Sequence, residues 1–175
     1  MTDKKILRKQ CRENRNSLSE EQRQAFSKQI CEKLIPLLKD KKVLSYAPFK
    51  SEVDVSLINE SLPVCYPLIR EAGMMDACFP VENRFVPNKL GILEPDPDHS
   101  EKISKNELDV ILVPCLGFTK QKDRLGQGGG YYDRYLKDCN ALKIGIAFEV
   151  QKIDEDISEA HDIPLDMIIT EKNTY

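Results

Sequence analysis

Apolar residues recur every three to four positions in two segments near the N-terminus, and this period predicts helices over residues 3–14 and 19–38. Ser19 followed by Gln22 has the form of a capping box, which sets the start of the second helix. The apolar stripe of that helix is predicted to pack on a sheet as core and not to form a ligand surface. The stripe consists of Phe26, Ile30, Leu34 and either Ile35 or Leu38.

Short apolar runs farther along the chain predict strands separated by helices and turns. Residues 54–62 fit a helix that Asp54 caps, whereas residues 91–105 fit no period and are predicted to form a long loop. The runs DVILV and LKIGIAF are almost wholly apolar, which is typical of strands covered on both faces. The predicted strands are residues 41–46, 63–69, 75–80, 84–86, 109–113, 142–148 and 167–170.

This order of elements predicts an α/β fold with three layers. A mostly parallel or mixed, Rossmann-like sheet is expected between helices, with a small antiparallel patch in the middle of the chain. With 175 residues, 41% of them apolar, the chain has the size of one well-buried domain. We therefore expect residues 1–175 to form a single domain.

Charge and residue usage narrow the range of partners. The 26 basic and 29 acidic residues give a net charge of −3, which does not favour nucleic acid or an anionic membrane as a partner. No apolar run has the length of a membrane span and the N-terminus lacks a signal-peptide core, so we expect a cytoplasmic protein, and a monomer. The six cysteines form no CxxC pair and are expected to be reduced thiols. The two histidines, His99 and His161, disfavour Ser-His or Cys-His catalysis.

The segment between the predicted strand 109–113 and the next helix contains the residues best suited to chemistry. Half of the glycines lie within residues 126–130. Glycine lets backbone N–H groups approach a ligand closely, so a strand, a glycine-rich loop and a helix N-terminus together favour an anion such as phosphate. No Gly-Lys-Ser/Thr sequence closes the loop, so it is not a Walker A motif.

Two charged residues flank the loop. Arg124 places a permanent, bidentate cation beside the loop amides, and Asp133 falls in the first helical turn as a candidate Mg²⁺ ligand. Together they would suit a triphosphate. The alternative is a tight turn in which Asp133 only complements the helix dipole, an effect of about 0.3 to 1 kcal/mol.

The run RLGQGGGYYDRYL, placed after a strand that ends in VPCLGF, resembles the signature of the 5-formyltetrahydrofolate cyclo-ligases, also called 5,10-methenyltetrahydrofolate synthetases. The resemblance covers nearly the whole chain. It extends to Lys4 and Arg8, YAPFKSEVD with Glu52, GILEP at residues 91–95 and HDIPLD at residues 161–166. The chain departs from the family pattern at Thr119, where Asp is usual, at Lys122, where Gly is usual, and at Val55, where Thr is frequent.

The resemblance implies an ATP- and Mg²⁺-dependent closure of 5-formyltetrahydrofolate to 5,10-methenyltetrahydrofolate, with release of ADP and phosphate. Phosphorylation of the formyl oxygen would make it a leaving group, and N10 would then attack the formyl carbon. Arg124 and Glu52 are the implied catalytic residues, Glu52 and Ala47 would bind the folate, and Asp133 and Asp166 would bind Mg²⁺. The implied ATP-binding residues are Lys4, Arg8, Arg124, Leu125, Gly126, Gln127, Gly128, Gly129, Gly130, Tyr131 and Tyr132.

Several of these assignments have simpler alternatives. Lys4 and Arg8 share a helix face, which is either the phosphate-facing side or one part of a solvated face with Lys5, Lys9, Arg12 and Arg15. Glu52 is either a pterin-binding carboxylate at the carboxyl edge of the sheet or a surface acid. Tyr131 and Tyr132 either stack on adenine or belong to the core.

Two other functions compete with the cyclo-ligase hypothesis. One is a catalytically silent nucleotide-binding module of the same fold, which would be expected to lose Arg124, Glu52 or Asp133. The other is an α/β enzyme that acts on sugar phosphates or acyl-CoA, for which Glu149 at a strand end would be the candidate catalytic carboxylate.

Overall fold

Four helices precede or connect the strands in the computed structural model, which describes residues 3–159 and 162–175; His161 lies outside the described residues. The helices are α1 (Lys4–Ser17), α2 (Glu20–Leu38), α3 (Ser56–Ser61) and α4 (Tyr131–Leu136). Ser19 and Gln22 form the predicted capping box of α2. The predicted apolar stripe is core, because Ile30, Leu34 and Leu38 are all at most 1% exposed.

The strands form one seven-stranded mixed sheet and two short antiparallel pairs. In the large sheet the order is β11-β10-β7-β1-β2-β3-β6. The pairs from β11 to β2 are parallel, and β3 and β6 are antiparallel additions at one side. The small pairs are β4 with β5 and β8 with β9. The strands are β1 (Val43–Leu44), β2 (Val64–Ile69), β3 (Met75–Pro80), β4 (Phe85–Pro87), β5 (Leu93–Pro95), β6 (Ser100–Ile103), β7 (Val110–Pro114), β8 (Gly117–Phe118), β9 (Arg124–Leu125), β10 (Leu142–Ile146) and β11 (Met167–Ile169).

Strand β7 shows why the large sheet is covered on both faces. Its side chains alternate between two cores, as the pleat of a strand requires. Val110 and Leu112 join the core that contains the stripe of α2, whereas Ile111 and Val113 join the core that contains Leu136 of α4. The three-layer α/β architecture and the antiparallel patch predicted from the sequence are therefore confirmed.

Two local predictions were wrong. Residues 91–105 are not a long loop but contain β5 and β6, which pair with β4 and β3. Helix α3 begins at Ser56 with Val55 at the N-cap, and the Asp54 carboxylate accepts from the Ser56 N–H at 2.9 Å. Val55 is fully buried in the core beside α2, which accounts for an apolar residue at this position.

Helix α1 packs on the β8–β9 hairpin through Leu7 and Cys11, which form a small core with Leu116 and Leu125. A Cβ on Gly117 would lie 2.8 Å from Cys11 Sγ, so this glycine permits the close approach of α1. The adjacent side of α1, which carries Lys4, Arg8, Arg12 and Arg15, lines the cleft described below. All six cysteines are free and buried. Among the described residues, no helix is long and apolar enough to cross a membrane.

Candidate active site

A large cleft lies beyond the carboxyl ends of β1 and β7, the edge of a parallel sheet at which ligands usually bind. Its volume is about 1850 Å³. The walls come from α1, from the loop after β1, from the β4–β5 hairpin and from the glycine-rich loop, residues 126–130. Every site residue predicted from the sequence lines this cleft except Asp166.

The glycine-rich loop has free amide donors. None of the N–H groups of residues 126–130 donates a hydrogen bond to a protein acceptor in the part of the chain that the structure describes. Three of its carbonyls are occupied, since Arg8 Nε donates to Gly126 O at 2.9 Å, Arg134 Nη2 donates to Gly129 O at 2.6 Å and the Arg134 N–H donates to Gly130 O at 3.1 Å. The loop therefore offers N–H donors to a ligand while arginines hold its carbonyl oxygens.

Glycine is required at two positions of this loop. Gly128 and Gly130 have φ values of +103° and +67°, in the region that side chains disfavour. Gly130 is also the N-cap of α4, so the turn aims the start of α4 and the loop amides at the same cleft.

Arg124 lies at the base of the loop with a side chain that is 7% exposed. Its Nη2 donates to Asp133 Oδ1 at 2.6 Å, and its guanidinium lies 5.6 Å from the centre of the Tyr132 ring. Its Nε is enclosed and has no hydrogen-bond partner among the described residues. A Cβ on Gly126 would lie 2.7 Å from Arg124 Nη1, so the loop also rests directly on the guanidinium.

Helix α1 brings its predicted basic residues to the cleft. Lys4 Nζ contacts Glu159 at 3.0 Å and Asp162 at 3.1 Å. Partial burial lowers the pKa of Lys4, but the hydrogen bonds that Lys4 donates to these two carboxylates, together with their charge, outweigh that effect and raise the pKa. Arg12 Nη2 donates to Gln127 Oε1 at 3.1 Å. Lys4, Arg8 and Arg12 therefore line the cleft from one side of α1, and of the three Arg12 is exposed.

Glu52 and half-buried Ala47 line the same cleft. Its carboxylate accepts from the Phe49 N–H at 3.1 Å. Burial raises the pKa of Glu52, and the Phe49 N–H and the charge of Arg15 partly offset that rise. Glu52 is thus a poorly solvated carboxylate inside the cleft, and not the surface acid of the alternative hypothesis.

The predicted pair of Mg²⁺ ligands is not brought together. Asp166 precedes β11 at its amino end, where its carboxylate accepts from the Lys143 N–H at 2.7 Å. The cleft and Asp133 lie at the carboxyl ends of the parallel strands, so Asp166 faces away from them. Among the described residues, no group of three or more His, Cys, Asp or Glu side chains is placed to hold a metal ion. Glu149 also lies outside the cleft and bonds to Thr170 and Tyr175.

Three arginines were not predicted from the sequence as site residues: Arg12 and Arg15 line the cleft, whereas Arg134 is not part of its lining and supports the glycine-rich loop from outside. Arg12 and Arg15 continue the spacing of Lys4 and Arg8 along α1, and that period was the available signal. Arg134 bridges Gly129 O to Gly73 O, the latter at 2.9 Å, and so fastens the glycine-rich loop to the turn between β2 and β3. No local sequence pattern predicts a contact between residues so far apart in the chain.

Two departures from the family pattern, Thr119 and Lys122, lie in the turn between β8 and β9, just before Arg124. Lys122 has a φ of +71°, which is the conformation that the usual glycine would adopt without strain. Buried Thr119 takes part in the same turn, because its hydroxyl donates to Asp123 Oδ2 at 3.0 Å and accepts from the Asp123 N–H at 3.2 Å.

A mixed α/β sheet with loop amides and a buried arginine at its carboxyl edge is the arrangement typical of phosphate-binding α/β proteins. Comparison with known proteins identifies the family within this class. Residues 1–171 match the model of the 5-formyltetrahydrofolate cyclo-ligase family, and the chain belongs to that family.

Relatives and solved structures agree with this placement. A 5-formyltetrahydrofolate cyclo-ligase of Mycoplasma pneumoniae is 32% identical over 97% of this chain and 99% of its own length. One from Escherichia coli is 27% identical over 94% and 98%. The NMR structure of 5,10-methenyltetrahydrofolate synthetase from Aquifex aeolicus superimposes with a TM-score of 0.86 at 33% identity and covers 98% of this chain and 91% of that chain. The family and the fold expected from the sequence are confirmed.

Proposed function

We propose that this protein converts 5-formyltetrahydrofolate to 5,10-methenyltetrahydrofolate at the expense of ATP, with the cleft beyond β1 and β7 as its active site. One observation carries the assignment of the site. Within the described part of the chain the amides of residues 126–130 have no protein acceptor, and they line one cleft with the guanidinium of Arg124 and the half-buried carboxylate of Glu52. Donors at one end suit phosphate, and an acceptor at the other end suits the N–H groups of a pterin.

The chemistry needs an activated formyl oxygen, since a formamide is a weak electrophile with a poor leaving group. The formyl oxygen attacks the γ-phosphorus of ATP, so an O–P bond forms and the bond to the ADP oxygen breaks. N10 then attacks the formyl carbon, the carbon–oxygen bond breaks, phosphate leaves and N10 loses its proton. The product keeps its positive charge delocalised between N5 and N10.

The residues of the phosphate end supply positioning and charge stabilisation, which is what phosphoryl transfer requires. The amides of residues 126–130 cradle the phosphates, with Leu125 and Gln127 in the same wall. Lys4 and Arg8 add positive charge from α1. Arg124 stabilises the charge that develops between the donor and acceptor oxygens.

The two tyrosines support the arginines of this end. Tyr132 holds the Arg124 guanidinium against its ring, and Tyr131 does the same for Arg134 at 5.6 Å. We place both rings in the wall of the ATP site.

Asp133 fits a single-carboxylate Mg²⁺ site, because Mg²⁺ in ATP-dependent enzymes is held by one or two carboxylates and by the substrate phosphates. The side chain of Asp133 is 35% exposed and only its Oδ1 is engaged by Arg124. The ion would neutralise phosphate charge when bound. Asp166 has no part in this proposal, because it lies outside the cleft.

The folate end consists of Glu52 and Ala47. The carboxylate accepts from the ring N–H and amino group of the pterin, and Ala47 forms the adjacent wall. This places the formyl group between Glu52 and the glycine-rich loop, where it meets the γ-phosphoryl group.

The test is methenyl formation, followed by its absorbance, with 5-formyltetrahydrofolate, ATP and Mg²⁺. We expect product only when all three are present, with ADP and phosphate in equal amounts. ATP binding without any product would instead identify the silent nucleotide-binding module. We further propose a cytoplasmic, single-domain monomer, and light scattering of the purified protein tests the monomeric state.

A further inference from the structure

Arg15 is a buried cation that contacts no carboxylate among the described residues; the acid whose charge acts on it, Glu52, is not within ion-pair distance. Its side chain lies on α1 and the residue is only 4% exposed, yet it lines the cleft. Its one hydrogen bond runs from Nε to Ser51 Oγ at 3.0 Å, and Ser51 Oγ in turn donates to Asn16 Oδ1 at 2.6 Å. Within residues 3–159 and 162–175, Arg15 forms no ion pair. Buried charges are costly unless they are paired, so this arrangement calls for an acceptor from outside the chain.

The free donors of Arg15 are its two terminal nitrogens. A guanidinium carries five N–H groups, and in residues 3–159 and 162–175 only the one on Nε finds an acceptor. The terminal nitrogens have no hydrogen-bond partner among the described residues, and Arg15 lines the cleft. The hydrogen bond from Nε to Ser51 fixes the orientation of the planar guanidinium, whose two terminal nitrogens form a donor fork.

Glu52 lies next to Ser51 in the chain and presents the complementary chemistry. One carboxylate oxygen accepts from the Phe49 N–H, and the other has no hydrogen-bond partner among the described residues. The charge of Arg15 acts on Glu52 and lowers its pKa. A fixed donor fork and a free acceptor therefore line the same end of the cleft.

We propose that Arg15 is a further substrate-binding residue, which donates to the ring carbonyl oxygen of the pterin while Glu52 accepts from the neighbouring ring N–H and amino group. The inference rests on the proposed function. The edge of a reduced pterin carries an amino group, an N–H and a carbonyl in succession, that is, two donors followed by one acceptor. Glu52 accepts hydrogen bonds from the two donors and Arg15 donates to the acceptor, so the two side chains together bind every polar group of this edge.

The substitution Arg15→Gln tests this assignment. We expect the KM for 5-formyltetrahydrofolate to rise about 10- to 100-fold, the range for a lost hydrogen bond from a charged group, with the KM for ATP within about twofold of wild type. Arg15→Lys keeps the charge but not the planar fork, and it should raise the folate KM about 10-fold. Lys9→Gln is the matched control, because Lys9 lies on the exposed side of α1 with a side chain that is 77% exposed.

A pH profile separates substrate binding from a merely structural role. The titratable or charged groups that act on or respond to Glu52 are Arg15, Tyr46, Cys115 and Tyr132, and Arg15 is the cation among them. Without it the pKa of Glu52 rises. The acid limb of kcat/KM for folate should therefore move to higher pH in Arg15→Gln and stay in place in Lys9→Gln.

The outcomes are distinguishable. A wild-type protein that forms no methenyl product contradicts the proposed function itself. An active wild type together with an Arg15→Gln variant whose folate KM and acid limb are unchanged overturns the role of Arg15 alone. Where Arg15→Gln does not fold, Arg15→Lys decides: an increased folate KM with an unchanged ATP KM supports the proposal, and an unchanged folate KM, or equal increases in both, overturns it.

Discussion

Replacement of Arg124 is the mutation that the structure connects most directly to the chemical step. In Arg124→Ala the cleft loses the guanidinium that lies under the glycine-rich loop and beside Asp133. The loop amides and the basic face of α1 remain, so the ATP site keeps most of its contacts. The group that is lost is the one proposed to stabilise charge that appears only in the transition state.

The expected magnitude follows from that role. Removal of one preorganised donor to a developing oxyanion lowers kcat about 10²- to 10³-fold, which corresponds to about 2.7 to 4 kcal/mol of transition-state stabilisation. The fold should tolerate the change, because Asp133 is 35% exposed and water can solvate its carboxylate. Because the Arg124 side chain is itself only 7% exposed, we expect the free energy of unfolding to fall by about 1 to 3 kcal/mol.

The assay is steady-state methenyl formation with ATP and folate varied separately, supported by thermal unfolding of each variant. Arg124→Ala should lower kcat far more than it raises the KM for ATP. Arg124→Lys keeps a charge without the fork and should recover part of kcat. An Arg124→Ala variant with wild-type kcat, or one whose loss lies only in the KM for ATP, would refute the assignment of Arg124 to the chemical step.

Three further predictions test separate parts of the site. Asp133→Asn should raise the Mg²⁺ concentration for half-maximal activity at least about 10-fold. Asp166→Asn changes a residue outside the cleft and should leave that concentration unchanged. A Mg²⁺ titration in which Asp166→Asn raises the concentration and Asp133→Asn does not would contradict our single-carboxylate site. Arg134→Ala removes the bonds to Gly129 O and Gly73 O and should raise the KM for ATP about 10-fold with kcat less affected; equal values for variant and wild type would show that the bridge does not order the loop. Lys122→Gly relieves a positive φ and should stabilise the fold by about 1 kcal/mol in urea unfolding, whereas Lys120→Gly should not; equal effects would remove backbone strain as the cause.

Local chemistry explains which elements could be predicted. The start of α2 follows from Ser19 and Gln22, and the bounds of β3 follow from a short apolar run between turns. Strands β5 and β6 were missed, because Pro95 and Pro97 obscure their pattern and because these strands exist through pairing with β4 and β3. A tertiary contact of this kind leaves no periodic signal in the segment itself.

The same distinction between local sequence signals and tertiary contacts applies to the residues of the site. The loop 126–130 and Arg124 are close in sequence, so their common role could be predicted from one short segment. The carboxylates could not be placed in the same way. Asp133 pairs with Arg124 within the segment, whereas the position of Asp166 depends on which end of β11 faces the cleft. Arg15 reaches Ser51 across 36 residues and Arg134 reaches Gly73 across 61, so their contacts depend on the completed fold.

The central claim is that the cleft transfers a phosphoryl group from ATP onto the formyl oxygen. The most direct measurement is turnover of 5-formyltetrahydrofolate labelled with ¹⁸O in the formyl group, followed by mass analysis of the released phosphate. The account predicts one ¹⁸O atom in the phosphate for each methenyl product formed. Unlabelled phosphate, with the ¹⁸O recovered in water, would contradict it.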